Sequence, residues 1–252
     1  MLNIVVPMAG RGSRFVKAGY ELPKPLIEIH GHPMIECVTK NISPKGAHRF
    51  IYLCLAEHLE KYDLERRLKS FSPNCVVVPV DKVTEGAACT VLLAREFIDN
   101  DDPLMIANSD QFVDIDINDY LAAGAGLDGL IMTMFADDNR WSFIKFNAQN
   151  HVTMVREKEV ISNEATVGIY NFARGRDYVD CADKMIAMNL RVNNEFYVAP
   201  VYNIFIDSGA KIGFYSVGRL DAGMYGLGVP EDLNKFIANP LSKKIFGSAD
   251  NV

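Results

Sequence analysis

The 252-residue sequence lacks the paired cysteine spacing of a zinc site or a disulfide framework, because no CxxC pair occurs. We expect its five cysteines to be reduced core residues; they are Cys37, Cys54, Cys75, Cys89 and Cys181. No apolar run approaches the ~20 residues of a membrane helix. The first ten residues lack the basic region and the apolar length of a signal peptide. We therefore expect a cytoplasmic protein with no membrane partner.

Excess positive charge is also missing, since 26 Lys and Arg residues face 32 Asp and Glu residues, a net charge of −6. A protein that binds the phosphate backbone of nucleic acids needs a basic face, so we expect no nucleic-acid partner. The five histidines show no metal-ligand spacing. Hydrophobic residues make up 49% of the chain and aromatic residues 10%, which excludes a disordered protein.

The first half of the chain alternates short apolar runs with helix-like segments. Strands are predicted at residues 2–6, 49–55, 75–79 and 104–107, and helices at residues 34–41, 57–70 and 86–98. Strands that alternate with helices indicate right-handed βαβ units and a parallel sheet. The first half is therefore predicted to be Rossmann-like.

The second half changes in character, because polar breaks separate several consecutive strand candidates. These strands are predicted at residues 130–135, 141–146, 152–156, 166–172 and 211–217. Helices are predicted at residues 177–190, 200–208 and 231–238, the last opened by Pro230. The sequence therefore predicts the α/β class, with a mainly parallel mixed sheet in a single domain.

A glycine-rich segment, Ala9-Gly10-Arg11-Gly12-Ser13-Arg14-Phe15, directly follows the first predicted strand. Glycines at such a place let backbone N–H groups approach an anion, and the next helix N-terminus favours negative charge. A dinucleotide fingerprint would need a third Gly at Phe15, and a P-loop would need Gly-Lys-Ser/Thr. A short phosphate-binding turn with two arginines remains, and the alternative is a tight strand-to-helix turn with a solvated Arg.

Two charged residues stand out beyond this loop. Lys24 lies between Pro23 and Pro25, which predicts a rigid extended segment. Asp110 follows the apolar run 104–107, hence near the carboxyl end of a strand, where ligands bind in open α/β sheets. Its carboxylate suits Mg²⁺, and the alternative is an ordinary polar turn. The nearby acidic residues are expected to form a solvated loop and a helix cap, not further ligands; they are Asp114, Asp116 and Asp119.

The loop 6–15 and the segment 23–27 resemble the signature loop of nucleotidylyltransferases, which make nucleotide-activated sugars and related phospho-alcohols. The resemblance continues in order through residues 84–88, 108–110, 157–158, 162–172, 195–198 and 228–233. It covers roughly residues 1 to 240 and implies the fold of nucleotide-diphospho-sugar transferases. It also implies one domain, 1–252, in which residues 1–120 bind the nucleotide and residues 121–240 bind the acceptor.

The resemblance implies a Mg²⁺-dependent reaction in which an NTP and a phosphorylated small molecule give an activated product and pyrophosphate. It assigns catalysis to Arg14 and Lys24, and the metal to Asp110. The implied nucleotide-binding residues are Ala9, Gly10, Arg11, Gly12, Ser13, Thr84, Glu85 and Gly86. Because the nucleotide then occupies the first half, the acceptor pocket is expected to be built mainly from the second half, with the residues Trp141, Glu157, Lys158, Gly168, Glu195 and Tyr197. For Thr84 an alternative is that it opens a helix, and a homo-oligomer stays open.

The sequence departs from the family pattern at two places. The family has a second metal-binding Asp two residues before the Gly of its late Gly-Thr-Pro-Glu-Asp motif, where this chain has Gly226. The second ligand is then expected from Glu195 or Asp221, or is absent, and Asp232 is expected to cap or charge the start of the C-terminal helix. Glu159 also replaces the family's Pro after Glu-Lys.

Three readings of the function compete. The first is a nucleotidylyltransferase of surface-polysaccharide precursor synthesis, with CTP as the first guess, from the compact loop with Phe15 and the segment 195–200. The second is a metal-dependent glycosyltransferase of related fold, which could use Asp114-Ile115-Asp116. The third is a non-catalytic nucleotide sensor, which would be expected to lose Arg14, Lys24 or Asp110.

Overall fold

The computed structural model describes residues 1–247, in which no helix is long and apolar enough to cross a membrane. Its strands are β1 (Leu2–Pro7), β2 (Glu28–Ile29), β3 (His32–Pro33), β4 (His48–Leu55), β5 (Val76–Val80), β6 (Leu104–Ala107), β7 (Gln111–Val113), β8 (Gly129–Phe135), β9 (Ser142–Phe146), β10 (Val152–Glu157), β11 (Glu164–Phe172), β12 (Ile212–Leu220) and β13 (Gly223–Gly226). Its helices are α1 (Ser13–Lys17), α2 (Met34–Asn41), α3 (Ala56–Tyr62), α4 (Leu64–Phe71), α5 (Ala87–Leu92), α6 (Arg95–Ile98), α7 (Ile117–Ala123), α8 (Gly175–Ala187), α9 (Val201–Asp207), α10 (Pro230–Ala238) and α11 (Pro240–Phe246).

One large sheet organises the chain, with the strand order β5-β4-β1-β6-β11-β8-β12-β13-β7. The first four strands in this order are mutually parallel, as βαβ units require. β11 is antiparallel to β6 and β8, and the paired strands β9 and β10 extend from it. The predicted α/β class with a mainly parallel mixed sheet and a Rossmann-like first half is confirmed.

The parallel strands are buried on both faces, which explains their continuous apolar runs. In β1, Ile4 and Val6 face a core that includes Met34 of α2 and Leu68 of α4. Val5 faces the opposite core, together with residues of α5 and α8. Covering both faces leaves the strand ends as the place where a ligand can reach the sheet.

Three predicted segments differ in the structure. The helix predicted at 57–70 is two helices, because Asp63 adopts a left-handed conformation at φ 49° between α3 and α4. The helix predicted at 86–98 is likewise divided into α5 and α6. The extended segment predicted at Lys24 is wrong. Residues Lys24–Leu26 form a 3-10 turn closed by Leu26 N donating to the Pro23 carbonyl at 2.8 Å, which buries Leu26.

Two short strands from distant parts of the sequence close one end of the sheet. β7 pairs antiparallel with β13, so that Gln111 lies opposite Gly226. The Leu227 N–H donates to the carbonyl of Asp110 at 2.8 Å, which extends the pairing. The segment between β13 and α10 is thereby held against the residues that follow β6.

Candidate active site

The loops that follow β1 and β6 lie side by side at one edge of the sheet. The two strands are parallel, with Val5 opposite Ile106, so their carboxyl ends meet. β1 leads into the glycine-rich loop, and β6 leads to residues 108–110. This is the edge at which open α/β sheets bind ligands.

Lys24 and Asp110 form an ion pair at this edge. Lys24 Nζ donates to Asp110 Oδ2 at 2.8 Å, and the two side chains are 19% and 26% exposed. Gly12 has φ 60° and lies against Lys24, because a Cβ at Gly12 would be 3.1 Å from the Lys24 Cβ. The glycine-rich loop, the lysine and the carboxylate are therefore neighbours in space.

A cleft of about 590 Å³ opens beside this ion pair. The predicted site residues that line it are Arg14, Asp110, Trp141, Glu157, Lys158, Gly168 and Tyr197. Residues assigned to the nucleotide side and to the acceptor side therefore share one cavity.

Lys158 lies at the end of β10 in a left-handed conformation, φ 56°. Its backbone N–H donates to the Trp141 carbonyl at 3.0 Å, and its Nζ donates to the Tyr197 hydroxyl at 3.0 Å, above the Tyr197 ring. The hydrogen bond with Tyr197 raises the pKa of Lys158. These contacts hold the exposed ammonium group of Lys158 at the cleft, and the raised pKa keeps it protonated at neutral pH.

Glu157, the preceding residue, is half-buried in the same wall. Burial raises the pKa of its carboxyl group, although a hydrogen bond donated by the Ser142 hydroxyl and the charge of Lys158 both lower it. Glu195 adds a smaller upward contribution. The carboxyl group can accept hydrogen bonds from ligand hydroxyl groups or face an ammonium group.

Gly168 lets two polar side chains cross the floor of the cleft. Its φ is +83°, and a Cβ there would lie 2.1 Å from Asn108 Nδ2 and 2.8 Å from Gln111 Oε1. Gln111 is 3% exposed, and its Nε2 has no hydrogen-bond partner within residues 1–247. Gln111 was not predicted from the sequence, although its place directly after Asp110 was a usable signal.

The rest of the glycine-rich loop does not line this cleft, which receives only Arg14 from it. Ala9 is buried, whereas Gly10, Arg11 and Ser13 are exposed. Within this loop, Gly12 lies against Lys24, one member of the ion pair beside the cavity.

The segment predicted to contact the base, Thr84 to Gly86, also lies outside the cleft lining. Gly86 has φ +136°, and a Cβ there would be 2.4 Å from the Phe196 carbonyl oxygen, so the glycine is required by a backbone contact. Glu85 pairs with Arg191 at 3.0 Å. Gly86, not Thr84, is the N-cap of α5; the Thr84 hydroxyl donates to the Gly86 carbonyl.

Asp110 fits a divalent cation. A Cβ at Gly228 would lie 2.7 Å from Asp110 Oδ2, so the glycine keeps the space beside this carboxylate open. No group of three or more His, Cys, Asp or Glu residues forms a metal cluster in the described part of the chain. Mg²⁺ is commonly held by one or two carboxylates together with substrate phosphates. The donor set therefore suits a cation that binds with a nucleotide.

Comparison with curated proteins gives distant relatives. The chain is 26% identical over 176 residues to the bifunctional protein GlmU of Methanococcus aeolicus, a match that covers 68% of this chain and 40% of that protein. It is 22% identical over 232 residues to the mannose-1-phosphate guanylyltransferase catalytic subunit beta of Dictyostelium discoideum, which covers 85% of this chain and 63% of that protein. The chain thus spans less than two thirds of the length of these relatives.

Solved structures share the fold. A nucleoside-diphosphate-sugar pyrophosphorylase from Vibrio cholerae superposes with a TM-score of 0.80 at 27% identity, covering 94% of this chain and all of that one. The inositol-1-phosphate CTP transferase from T. maritima gives 0.77 at 16% identity, covering 99% and 98% of the two chains, and at that identity shows the fold alone. The sequence matches the nucleotidyl transferase family over residues 4–186. The chain belongs to that family.

Proposed function

We propose that this chain is a Mg²⁺-dependent nucleotidylyltransferase that joins the nucleoside monophosphate of an NTP to a phosphorylated sugar, polyol or amino-alcohol. The observation that carries the proposal is the Lys24–Asp110 ion pair beside a cleft that Asp110 and Lys158 both line. Two anionic substrates repel each other, so a site that joins them needs cations beside both. We assign the nucleotide to residues 1–120 and the acceptor to residues 121–240.

In the proposed reaction an oxygen of the acceptor phosphate attacks the α-phosphorus of the NTP. The bond between that phosphorus and the oxygen that bridges to the β-phosphate breaks, and pyrophosphate leaves with the electron pair. No covalent enzyme intermediate is needed. The protein acts by positioning the two substrates and by stabilising charge.

The nucleotide side offers three kinds of donor. The planar guanidinium of Arg14 can bind two oxygens of the leaving pyrophosphate. Lys24 is a compact charge suited to the α-phosphate, and the backbone N–H groups of residues 10–13 would receive the other phosphates. A divalent cation held at Asp110 would supply further charge neutralisation. A cation at Asp110 would take the place of the Lys24 ammonium group there, so that Lys24 could bind the phosphates.

The acceptor side includes a lysine, a half-buried carboxyl group and two aromatic faces. Lys158 would bind the acceptor phosphate, and Glu157 would accept hydrogen bonds from hydroxyl groups or face an ammonium group. Trp141 and Tyr197 would form the walls. This chemistry supports an acceptor from surface-polysaccharide precursors. CTP is the nucleotide we propose, from the compact loop with Phe15 and the segment 195–200.

The glycosyltransferase alternative finds no support in the position of its motif. Neither Asp114 nor Asp116 lines the cleft. Asp116 instead accepts a hydrogen bond from the Asn118 N–H at the start of α7, as a helix cap does. The expected role of this acidic segment as loop and cap agrees with the structure.

The direct test measures pyrophosphate released by the purified chain with each of the four common NTPs, Mg²⁺ and a panel of phosphorylated sugars, polyols and amino-alcohols. We expect release with one nucleotide, CTP, and only when an acceptor is present.

Asp110→Asn should lower turnover by roughly 100-fold or more through lost charge stabilisation. Full activity in excess EDTA would refute the metal requirement, and no release with any pair would refute the activity.

Lys158→Ala tests the placement of the acceptor. We expect a higher KM for the acceptor and a nearly unchanged Kd for the nucleotide, because Lys158 lies on the second half of the cleft. Lys145→Ala, an exposed lysine of β9 outside the cleft lining, is the matched control. Steady-state kinetics and nucleotide titration separate the two effects. Equal losses for both substrates would show that the acceptor has been misplaced.

A further inference from the structure

Two carboxylates border the same short stretch of backbone in the cleft. Asp110 faces Gly228, as described above. Asp232, in the first turn of α10, faces Gly226, because a Cβ at Gly226 would lie 3.3 Å from Asp232 Oδ2. Both aspartates line the cleft. The two glycines leave an open space with one carboxylate at each of them.

Asp232 has one ion pair among the described residues, and it is long. Its side chain is 21% exposed, and the exposed Lys235 has its Nζ 4.0 Å from Oδ1. Such a long contact between a carboxylate and a solvated ammonium contributes little. Arg140 lines the same cleft and is near enough for the Asp232 charge to raise its pKa, but its own ion pair is with Asp138. A mostly buried carboxylate is costly unless another charge compensates it. The position of Asp232 therefore favours a cation from outside the chain.

Gln111 is an independent sign that a ligand belongs here. It lies opposite Gly226 in the β7–β13 pair and lines the same cleft. Cross-strand partners project on the same face of a sheet, so a side chain at position 226 would have stood beside Gln111. The buried Nε2 of Gln111 has no acceptor within the described residues. A buried amide without a partner calls for a ligand oxygen, which a phosphate or a hydroxyl group can provide.

The residues suggested earlier for a second carboxylate are placed elsewhere. Glu195 and Asp221 are both exposed, and neither lines the cleft. Asp232 does lie at the start of α10, as the sequence predicted. The N-cap of that helix is Val229, and no side chain caps it. The Asp232 carboxylate is thus available to the cleft.

We propose that Asp232 is the second carboxylate that, with Asp110, holds the divalent cation of the bound nucleotide, in the space left open by Gly226. The inference deepens the proposed function and rests on it. In this arrangement Asp232 compensates for the missing side chain at position 226.

The test measures metal binding, not turnover. Mn²⁺ is titrated into the full chain with α,β-methylene-CTP, and the protein-bound ion is followed by the relaxation rate of water protons and by electron paramagnetic resonance. Asp232→Asn should weaken Mn²⁺ binding by about tenfold or more. Glu231→Gln is the matched control, because it removes an exposed carboxylate from the same helical turn and should leave Mn²⁺ binding unchanged.

A second variant moves the carboxylate. In the double variant, Asp232→Ala makes room for the side chain that Gly226→Asp introduces at position 226. We expect this variant to bind Mn²⁺ within a few fold of the wild type. If Asp232→Asn binds Mn²⁺ as tightly as Glu231→Gln does, the inference is overturned. Failure of the proposed function is a separate result, since it is read from pyrophosphate release by the wild-type chain.

Discussion

At the scale of single residues, Lys24 forms an ion pair with Asp110. A divalent cation bound to Asp110 would replace Lys24 in that pair. In the proposed reaction Lys24 binds the α-phosphate, and this contact should strengthen as charge redistributes in the transition state. We therefore expect Lys24→Ala to lower kcat more than it weakens nucleotide binding. Lys17→Ala, an exposed lysine at the end of α1, should change neither.

Steady-state kinetics together with a direct nucleotide titration decide the role of Lys24. A variant in which only the KM for the nucleotide rises would make Lys24 a plain binding residue.

Glu157 gives a pH dependence with a defined sign. Burial raises the pKa of its carboxyl group above the usual 4.5, so the folded protein favours the protonated form. The stability that this preference contributes is present below the unfolded pKa and is lost as pH rises through the folded pKa. We expect the free energy of unfolding of the wild type to fall relative to Glu157→Gln as pH rises from about 4.5.

Urea unfolding at a series of pH values measures this difference. Glu159→Gln, two residues along and exposed, should follow the wild type at every pH. A constant difference between wild type and Glu157→Gln would contradict the shifted pKa.

At the scale of secondary-structure elements, the start of α5 is joined to the segment 195–198 through Gly86. The Phe196 N–H donates to the Glu85 carbonyl at 2.8 Å, and the Ala88 N–H donates to the Phe196 carbonyl at 3.0 Å. Gly86→Ala would add both a positive-φ strain and an overlap with the Phe196 backbone. We expect a loss of about 3 kcal/mol or more in the free energy of unfolding.

Gly209→Ala separates these two contributions. Gly209 also has a positive φ, +92°, but nothing lies within 4 Å of its added Cβ. Chemical denaturation should show a smaller loss there, on the order of 1 kcal/mol. Equal losses at the two positions would mean that the contact with Phe196 relaxes without cost.

Elements with a strong local pattern were predictable. α2 and β6 have the predicted bounds, because each pairs an apolar pattern with clear flanking residues. β7 and β13 have only three and four residues, and their pairing depends on a partner distant in sequence. Local patterns carry no information about such contacts. The 3-10 turn at Lys24 also depends on tertiary packing, which a local pattern does not show. Burial of Leu26 there outweighs the preference of a residue before proline for an extended conformation.

The candidate site was likewise predictable where its residues follow strands with a strong local pattern. The glycine-rich loop follows β1, and Asp110 follows β6. Because these strands are parallel neighbours, their carboxyl ends meet, and the topology brings the loop, Lys24 and Asp110 close together. Gln111 belongs to the β7–β13 pair and Asp232 to α10, which follows β13, and the sequence did not predict this pair. The Gly86 contact with the backbone of Phe196 was likewise not predicted from the sequence, and the assignment of Gly86 to the nucleotide stays a prediction.

At the scale of the whole molecule, the cysteines report on the integrity of the core. Burial raises the pKa of Cys37 and Cys54 to about 12 and that of Cys181 to about 11. Few of these thiols ionise at pH 8, so their reaction with a disulfide reagent should be slow. Cys89 is only half-buried and should react first.

Thiol titration with and without denaturant tests this expectation. Cys89→Ser should remove the fast phase of the native protein and leave the slow phase, which denaturant accelerates. Rapid labelling of all five thiols in the native protein would contradict the buried arrangement.

The pairing of β7 with β13 also sets the order in which the cleft can be completed during translation. Val113 leaves the ribosome long before Met224, its partner in the sheet. At about 5–20 residues per second, the delay is roughly 5 to 20 s. Throughout that interval Asp110 lacks the backbone of residues 226–228, and Gln111 lacks its neighbouring strand. A nascent chain therefore carries the glycine-rich loop and Lys24 without the opposite wall, and the cleft is complete only after residues 223–228 have emerged.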